Sequence, residues 1–173
     1  METDNICVCD IDGTICEYNT VYDKFVMEHK LDTKINIEAY DTVSRYGSTK
    51  LEMQDVWNEW LHQDMFAQLK KIEGSEKINK YNPIFVTARP LITRKTTLSW
   101  LEANEFKFQS VIFTSDKTSI DIIDRVNLCF EDHPTQAISF ACRGIRTYLF
   151  DRSYNRNFYH PNVIRVKNWF EIS

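Results

Sequence analysis

Apolar positions along this chain follow two rhythms. In the first, three or four apolar residues stand side by side within short runs, at 6–10, 83–87, 110–114, 126–131 and 146–150. Runs without polar alternation are expected of strands covered on both faces, which is the environment of a parallel sheet. In the second, apolar residues recur at helical spacing. Leu91, Leu98, Trp100 and Leu101 mark a helix over 91–104, and Pro134 stands at the first turn of another over 134–142. Strands alternating with helices predict right-handed crossovers and an α/β, doubly wound parallel sheet. A sixth run, 163–166, predicts an edge strand.

One region breaks the alternation. Residues 19–74 carry no strand pattern, but Val21, Phe25 and Val26 form one helical apolar set, and Leu51, Val56, Trp57, Trp60 and Leu61 form another. A single crossover helix would suffice between the first two strands. The surplus predicts a small helical cap inserted after the first strand, over the carboxyl edge of the sheet. The expected division is a core of residues 1–18 and 75–173 and a cap of residues 19–74, the cap closing over the site as a mobile unit.

Composition narrows the function classes. The chain has 173 residues, 43% hydrophobic and 27% charged, with four glycines and four prolines, as in an ordinary globular domain. Its net charge of −4 supplies no basic field for a long nucleic acid. Five cysteines without a Cys-x-x-Cys pair point to buried thiols in a reducing compartment, and the four histidines show no zinc spacing. The acidic start, with no apolar signal region behind it, and the lack of an apolar stretch of bilayer length lead to a cytoplasmic expectation.

Chemistry gathers at four strand ends. The first run stops at Asp10-Ile11-Asp12-Gly13-Thr14. Two carboxylates that close call for a cation or a proton between them, and a hard ion with oxygen ligands fits, Mg²⁺ best where phosphate is present. The second run ends in Thr87-Ala88-Arg89-Pro90. A hydroxyl there ordinarily caps the next helix, but with the helix-start amides it also suits a phosphate. Lys117 follows the third run, where a cation would neutralise a phosphoryl group. Glu131 ends the fourth and Asp132 follows it. If strand one is central with strand four beside it, Asp10, Asp12 and Asp132 meet where strand order reverses.

This ordered set resembles the haloacid dehalogenase superfamily of phosphotransferases, over the span 6–150. The resemblance implies a Mg²⁺-dependent phosphatase. Asp10 is then the nucleophile that forms an aspartyl-phosphate. Asp12 is the general acid and then base, and lends its backbone carbonyl to the metal. Thr87, Ala88, Arg89 and Lys117 bind the phosphoryl group, and Asp132, with Glu131 beside it, completes the metal site. The chemistry asks for the same residue types. A carboxylate attacking a phosphate needs countercharge, and a second carboxylate must protonate the leaving oxygen and later activate water.

The segments 87–90, 149–156 and 165–169 are similar to the 5′(3′)-deoxyribonucleotidase-like group, with Glu131-Asp132 replacing two aspartates common there. The substrate expected from this is a small phosphoester, a (deoxy)nucleoside monophosphate. The cap carries Tyr18, Tyr22, Phe25, Tyr40, Tyr46, Trp57, Trp60 and Phe66, rings that either stack on a base or pack the cap's own core. Arg45 and Lys50 either reach a substrate or face water, and 152–156 reads as a surface turn capped by Asn155. Two other readings remain at this point, a polynucleotide end phosphatase and a non-catalytic binding module of the same fold.

Overall fold

A computed structural model of the chain describes residues 6–29 and 34–172. The acidic start, residues 1–5, and positions 30–33 of the insertion lie outside them. Six strands form one sheet: β1 (Ile6–Cys9), β2 (Ile84–Thr87), β3 (Ser110–Phe113), β4 (Val126–Glu131), β5 (Arg146–Phe150) and β6 (Val163–Val166). Their order is β3-β2-β1-β4-β5-β6, and every neighbouring pair is parallel. The chain leaves β1 toward one side of the sheet and later returns to its other side. The switch point therefore lies between β1 and β4.

The unbroken apolar run of β1 has a direct cause. Ile6 and Val8 enter one apolar cluster, with Ile84, Val86 and Phe140. Cys7 and Cys9 enter the other, with Phe85, Phe130, Phe150 and Trp169. Alternate side chains point to opposite faces, and both faces are covered. Helices α4 (Arg94–Ala103) and α5 (Pro134–Ala141) flank the sheet, α5 carrying Pro134 in its first turn as expected. The helix expected from residue 91 begins three residues later. Pro90 is extended, a 3-10 turn spans Leu91–Thr93, and the Thr93 hydroxyl donates to the Pro90 carbonyl at 2.8 Å. Leu91, counted with the apolar face, is 66% exposed.

Between β1 and β2 stand α1 (Tyr18–His29), α2 (Thr42–Tyr46), α3 (Lys50–His62) and a 3-10 turn, Met65–Gln68. Local signals set their ends. Asp41 caps α2, and Thr49 and Glu52 make a reciprocal capping box on α3. Trp60 is fully buried and meets Tyr22, Phe25 and Phe66 edge-on at 4.9, 5.2 and 5.6 Å. Leu51, expected in the same apolar set, is exposed, and Met53 takes its place inward. Arg45 is tied to Asp23 at 2.7 and 2.5 Å and to the carbonyls of Ile37 and Ala39, so it braces the insertion. The insertion rejoins the sheet through Glu17 N–H to Lys70 O and Ile72 N–H to Ile15 O, both 2.9 Å.

Candidate active site

Asp10 follows β1 immediately, and its N–H continues the ladder to Phe130 O at 2.9 Å. Glu131 ends β4 and Asp132 follows it. Adjacency of the two strands brings one oxygen each of Asp10, Glu131 and Asp132 within 4.8 Å of one another, all three side chains buried. Lys117, only 4% exposed, reaches them from the loop after β3. Its Nζ donates to Asp10 Oδ1 at 2.6 Å and to Glu131 Oε1. The other Glu131 oxygen accepts from the N–H groups of Asp132 and His133 at 3.1 and 3.0 Å.

Gly13 lets this approach happen. Its φ is +77°, and a Cβ there would lie 2.8 Å from Asp132 Cγ. A side chain is thus refused by backbone and neighbour alike.

The electrostatics follow from crowding. Burial raises the Asp10 pKa well above the ordinary carboxylate value. Lys117 works against that shift, and Glu131, Asp132 and Asp12 add to it. Burial pushes Asp132 up to about 7, with Glu131 adding to the rise. Burial by itself would lower Lys117, but Asp10 and Glu131 outweigh it and hold the ammonium charged. Three carboxylates share one ammonium, leaving two negative charges that only protons or a cation can balance. The donor set is all oxygen, which fits Mg²⁺ or another hard divalent ion.

The Asp12 carboxylate lies apart from this cluster. Arg89 Nε and Nη2 donate to its two oxygens at 2.9 and 2.7 Å. The guanidinium expected on a phosphate is therefore found on Asp12. Thr87 is fully buried, and its hydroxyl accepts from the Arg89 N–H at 3.2 Å, as a turn cap does. Ala88, Lys117, Asp10, Asp12 and Asp132 all line one cavity of about 530 Å³. Tyr18, Tyr22, Tyr40, Tyr46, Trp57 and Phe66 of the insertion line it as well. Trp60 and Phe25, also candidates for stacking, pack the core instead.

Comparison with known proteins fits this geometry. A family profile described as "5' nucleotidase, deoxy (Pyrimidine), cytosolic type C protein" matches residues 4–173. The chain belongs to that family. The nucleotidase is 25% identical over 186 residues to nucleotidase CA_C3379 of Clostridium acetobutylicum, covering 99% of this chain and 93% of the relative. YqfW of Bacillus subtilis is 27% identical, over 94% of this chain and 88% of its own length. A haloacid dehalogenase-like hydrolase from Streptococcus pneumoniae, SP0104, shares the fold at a TM-score of 0.64 with 10% identity, over 99% and 98% of the two chains. The family is one of nucleotidases, which makes the chain a phosphatase by family, and its fold is that of haloacid dehalogenase-like hydrolases.

The segment 152–156 of the nucleotidase does more than turn on the surface. Arg152 Nε donates to Gly13 O at 2.8 Å, and the Tyr154 hydroxyl donates to Asp132 Oδ2. Asn155 is buried and donates to the carbonyls of Asp132 and Phe150 at 2.7 and 2.8 Å. Asn155 also caps the turn as expected, accepting from Arg152 N–H at 3.1 Å. The segment follows β5, whose neighbour is β4. That adjacency, invisible before the strand order is fixed, was the signal needed to place these side chains.

Proposed function

We propose that this nucleotidase hydrolyses nucleoside monophosphates, deoxyribonucleotides preferred, through an aspartyl-phosphate on Asp10 and with Mg²⁺ as cofactor. The observation that carries the reading is the buried junction of Asp10 with Lys117 and Asp132 at the switch point of the sheet, inside a cavity large enough for a nucleotide.

Asp10 attacks phosphorus, the bond to the leaving oxygen breaks, and Asp12 gives that oxygen its proton. Water then attacks the phosphorus of the aspartyl-phosphate and passes a proton to Asp12. The bond between Asp10 and phosphorus breaks and phosphate leaves. Lys117 opposes the burial that disfavours an ionised Asp10 and, together with the bound cation, favours the carboxylate that attacks. It also meets the phosphoryl oxygens, with Thr87 and the backbone at Ala88 completing the cradle. Asp10, Asp132 and the Asp12 carbonyl would hold Mg²⁺, which when bound neutralises charge on the phosphoryl group. Glu131 is spent on Lys117 and two amides, and serves by holding the lysine.

Residues 19–74 act as the cap that closes the leaving-group side. Trp57, only partly buried and lining the cavity, is the ring on which the base stacks. A reducing, cytoplasmic setting agrees with five free cysteines, four of them buried. Among the described residues, no helix is long and apolar enough to cross a membrane.

The test is phosphate release from deoxynucleoside monophosphates, sugar phosphates and an aryl phosphate, with Mg²⁺ and with excess EDTA, for the native protein and Asp10→Asn. The reading expects highest kcat/KM on the deoxynucleotides, silence in EDTA, and loss of turnover in the folded variant. Turnover of Asp10→Asn at more than a few per cent, or undiminished release in EDTA, overturns the mechanism. Equal efficiency on sugar phosphates overturns the substrate.

A further inference from the structure

Arg89 stood among the phosphate-binding candidates, yet its donors are committed elsewhere. A guanidinium has five N–H groups. Nε donates to Asp12 Oδ2 at 2.9 Å, Nη2 donates to Asp12 Oδ1 at 2.7 Å, and Nη1 donates to the Thr97 hydroxyl of α4 at 3.2 Å. Nη2 also lies 3.5 Å from Cys16 Sγ, and that thiol donates to Asp12 Oδ1 at 3.3 Å, closing a triangle. The Phe66 ring of the insertion roofs the guanidinium at 4.3 Å. The side chain is almost wholly buried. A residue fixed from three sides, with its fork spent on one carboxylate, has almost nothing left to offer a phosphate.

We infer that Arg89 is the positioning residue of the acid–base group: it sets the plane and direction of the Asp12 carboxylate, and takes no part in holding the phosphoryl group. The inference rests on the reading of Asp12 as general acid and base. A bidentate fork fixes both oxygens of a carboxylate in one plane, which a lysine cannot do. Thr97, Cys16 and Phe66 fix the fork in turn. The orientation of proton transfer is thereby set jointly by α4, the loop after β1 and the base of the insertion.

The experiment compares two leaving groups at one pH. Release of 4-nitrophenolate needs little protonation, whereas release of a nucleoside alkoxide needs a well-placed acid. Purified Arg89→Met, Arg89→Lys, Asp12→Asn and the Arg89→Met/Asp12→Asn double variant are assayed on a deoxynucleoside monophosphate and on 4-nitrophenyl phosphate. Inhibition by inorganic phosphate and thermal melting are measured on each. Arg89→Met should lose about 100-fold in kcat/KM on the nucleotide, the scale of a misplaced catalytic group. Its kcat/KM on the aryl ester, which ends at departure of the leaving group and omits the later water step, should stay within a few-fold of native, with phosphate inhibition unchanged. Arg89→Lys should fall between. The double variant, which removes both buried charges together, should be no slower on the nucleotide than Asp12→Asn alone.

Equal losses on both substrates with weakened phosphate inhibition would make Arg89 a phosphate ligand and overturn the inference. Full activity of Arg89→Met on both substrates overturns it too. If Asp12→Asn splits the two leaving groups and Arg89→Met does not, only the inference about Arg89 fails. If Asp12→Asn itself shows no split, the acid–base reading of Asp12 has failed first.

Discussion

Gly13 leaves no room for a side chain, and the reason lies 119 positions further along the sequence, at Asp132. In Gly13→Ala the methyl group would displace the Asp132 carboxylate and press on the Tyr154 hydroxyl, which lies 3.0 Å from the Cβ position. The left-handed backbone adds a cost of about 1–3 kcal/mol for a residue other than glycine. The expected outcome is a lowered melting temperature and a raised Mg²⁺ requirement, measured by thermal melting and by calorimetric Mg²⁺ titration. Unchanged Mg²⁺ affinity would show that Asp132 is not held by this contact. Residues of this kind divide by legibility. The meeting of Asp10, Lys117 and Asp132 could be foreseen from the sequence because each stands at or just beyond a strand end. Tyr154 and Arg152 could not, because what they hold is fixed only by which strands lie side by side. The position of Arg89 was legible but its partner was not, since Asp12 and a phosphate are equally good partners for a guanidinium until geometry chooses.

At the scale of elements, the tips of β1 and β4 carry an electrostatic load that metal-free protein can relieve only with protons. Burial raises the pKa values of Asp10 and Asp132, the second to about 7. In the unfolded chain such groups titrate near ~3.9. The folded state therefore keeps protons that the unfolded state has released. That contribution to stability is complete below about pH 4 and fades as pH rises through about 7. In EDTA the melting temperature should accordingly fall between about pH 5 and pH 8. Mg²⁺ bound there as proposed would compete with those protons and favour only the folded site, so the rise in melting temperature it produces should be larger at the alkaline end. A metal-free melting temperature that climbs steadily across that range would contradict the load assigned to these tips. The strands that bear it were legible because apolar runs covered on both faces leave one pattern only. The start of α4 was not. Leu91 and Ile92 look like helix residues by spacing, yet extended Pro90 and the Thr93 hydroxyl make a 3-10 turn that leaves both exposed.

Over the whole molecule, the insertion and one face of the sheet share a single apolar cluster, running from Phe85 and Phe130 through Phe66 to Trp60 and Phe25. The sequence supplied the helices and the aromatic content of this region. It could not say which rings face inward, because Trp57 and Trp60 stand three apart on the same helix. The fold separates them. Trp60 is fully buried, while Trp57 is only partly so and lines the cavity above Asp10. The two predict different losses. Trp60→Ala should destabilise the protein by about 3–5 kcal/mol, as core aromatic truncations do. Trp57→Ala should cost less stability and more recognition. Stacking of a base on an aromatic ring is worth roughly 1–3 kcal/mol, which corresponds to about a tenfold to hundredfold rise in KM for a nucleotide. A phosphoester without a base has no such contact to lose. Trp57→Ala should therefore weaken KM for deoxynucleoside monophosphates while leaving KM for a sugar phosphate and kcat for both within a few-fold of native. A parallel loss on both substrates would assign Trp57 to the packing of the insertion, and the base would have to be sought against Tyr18 or Tyr40.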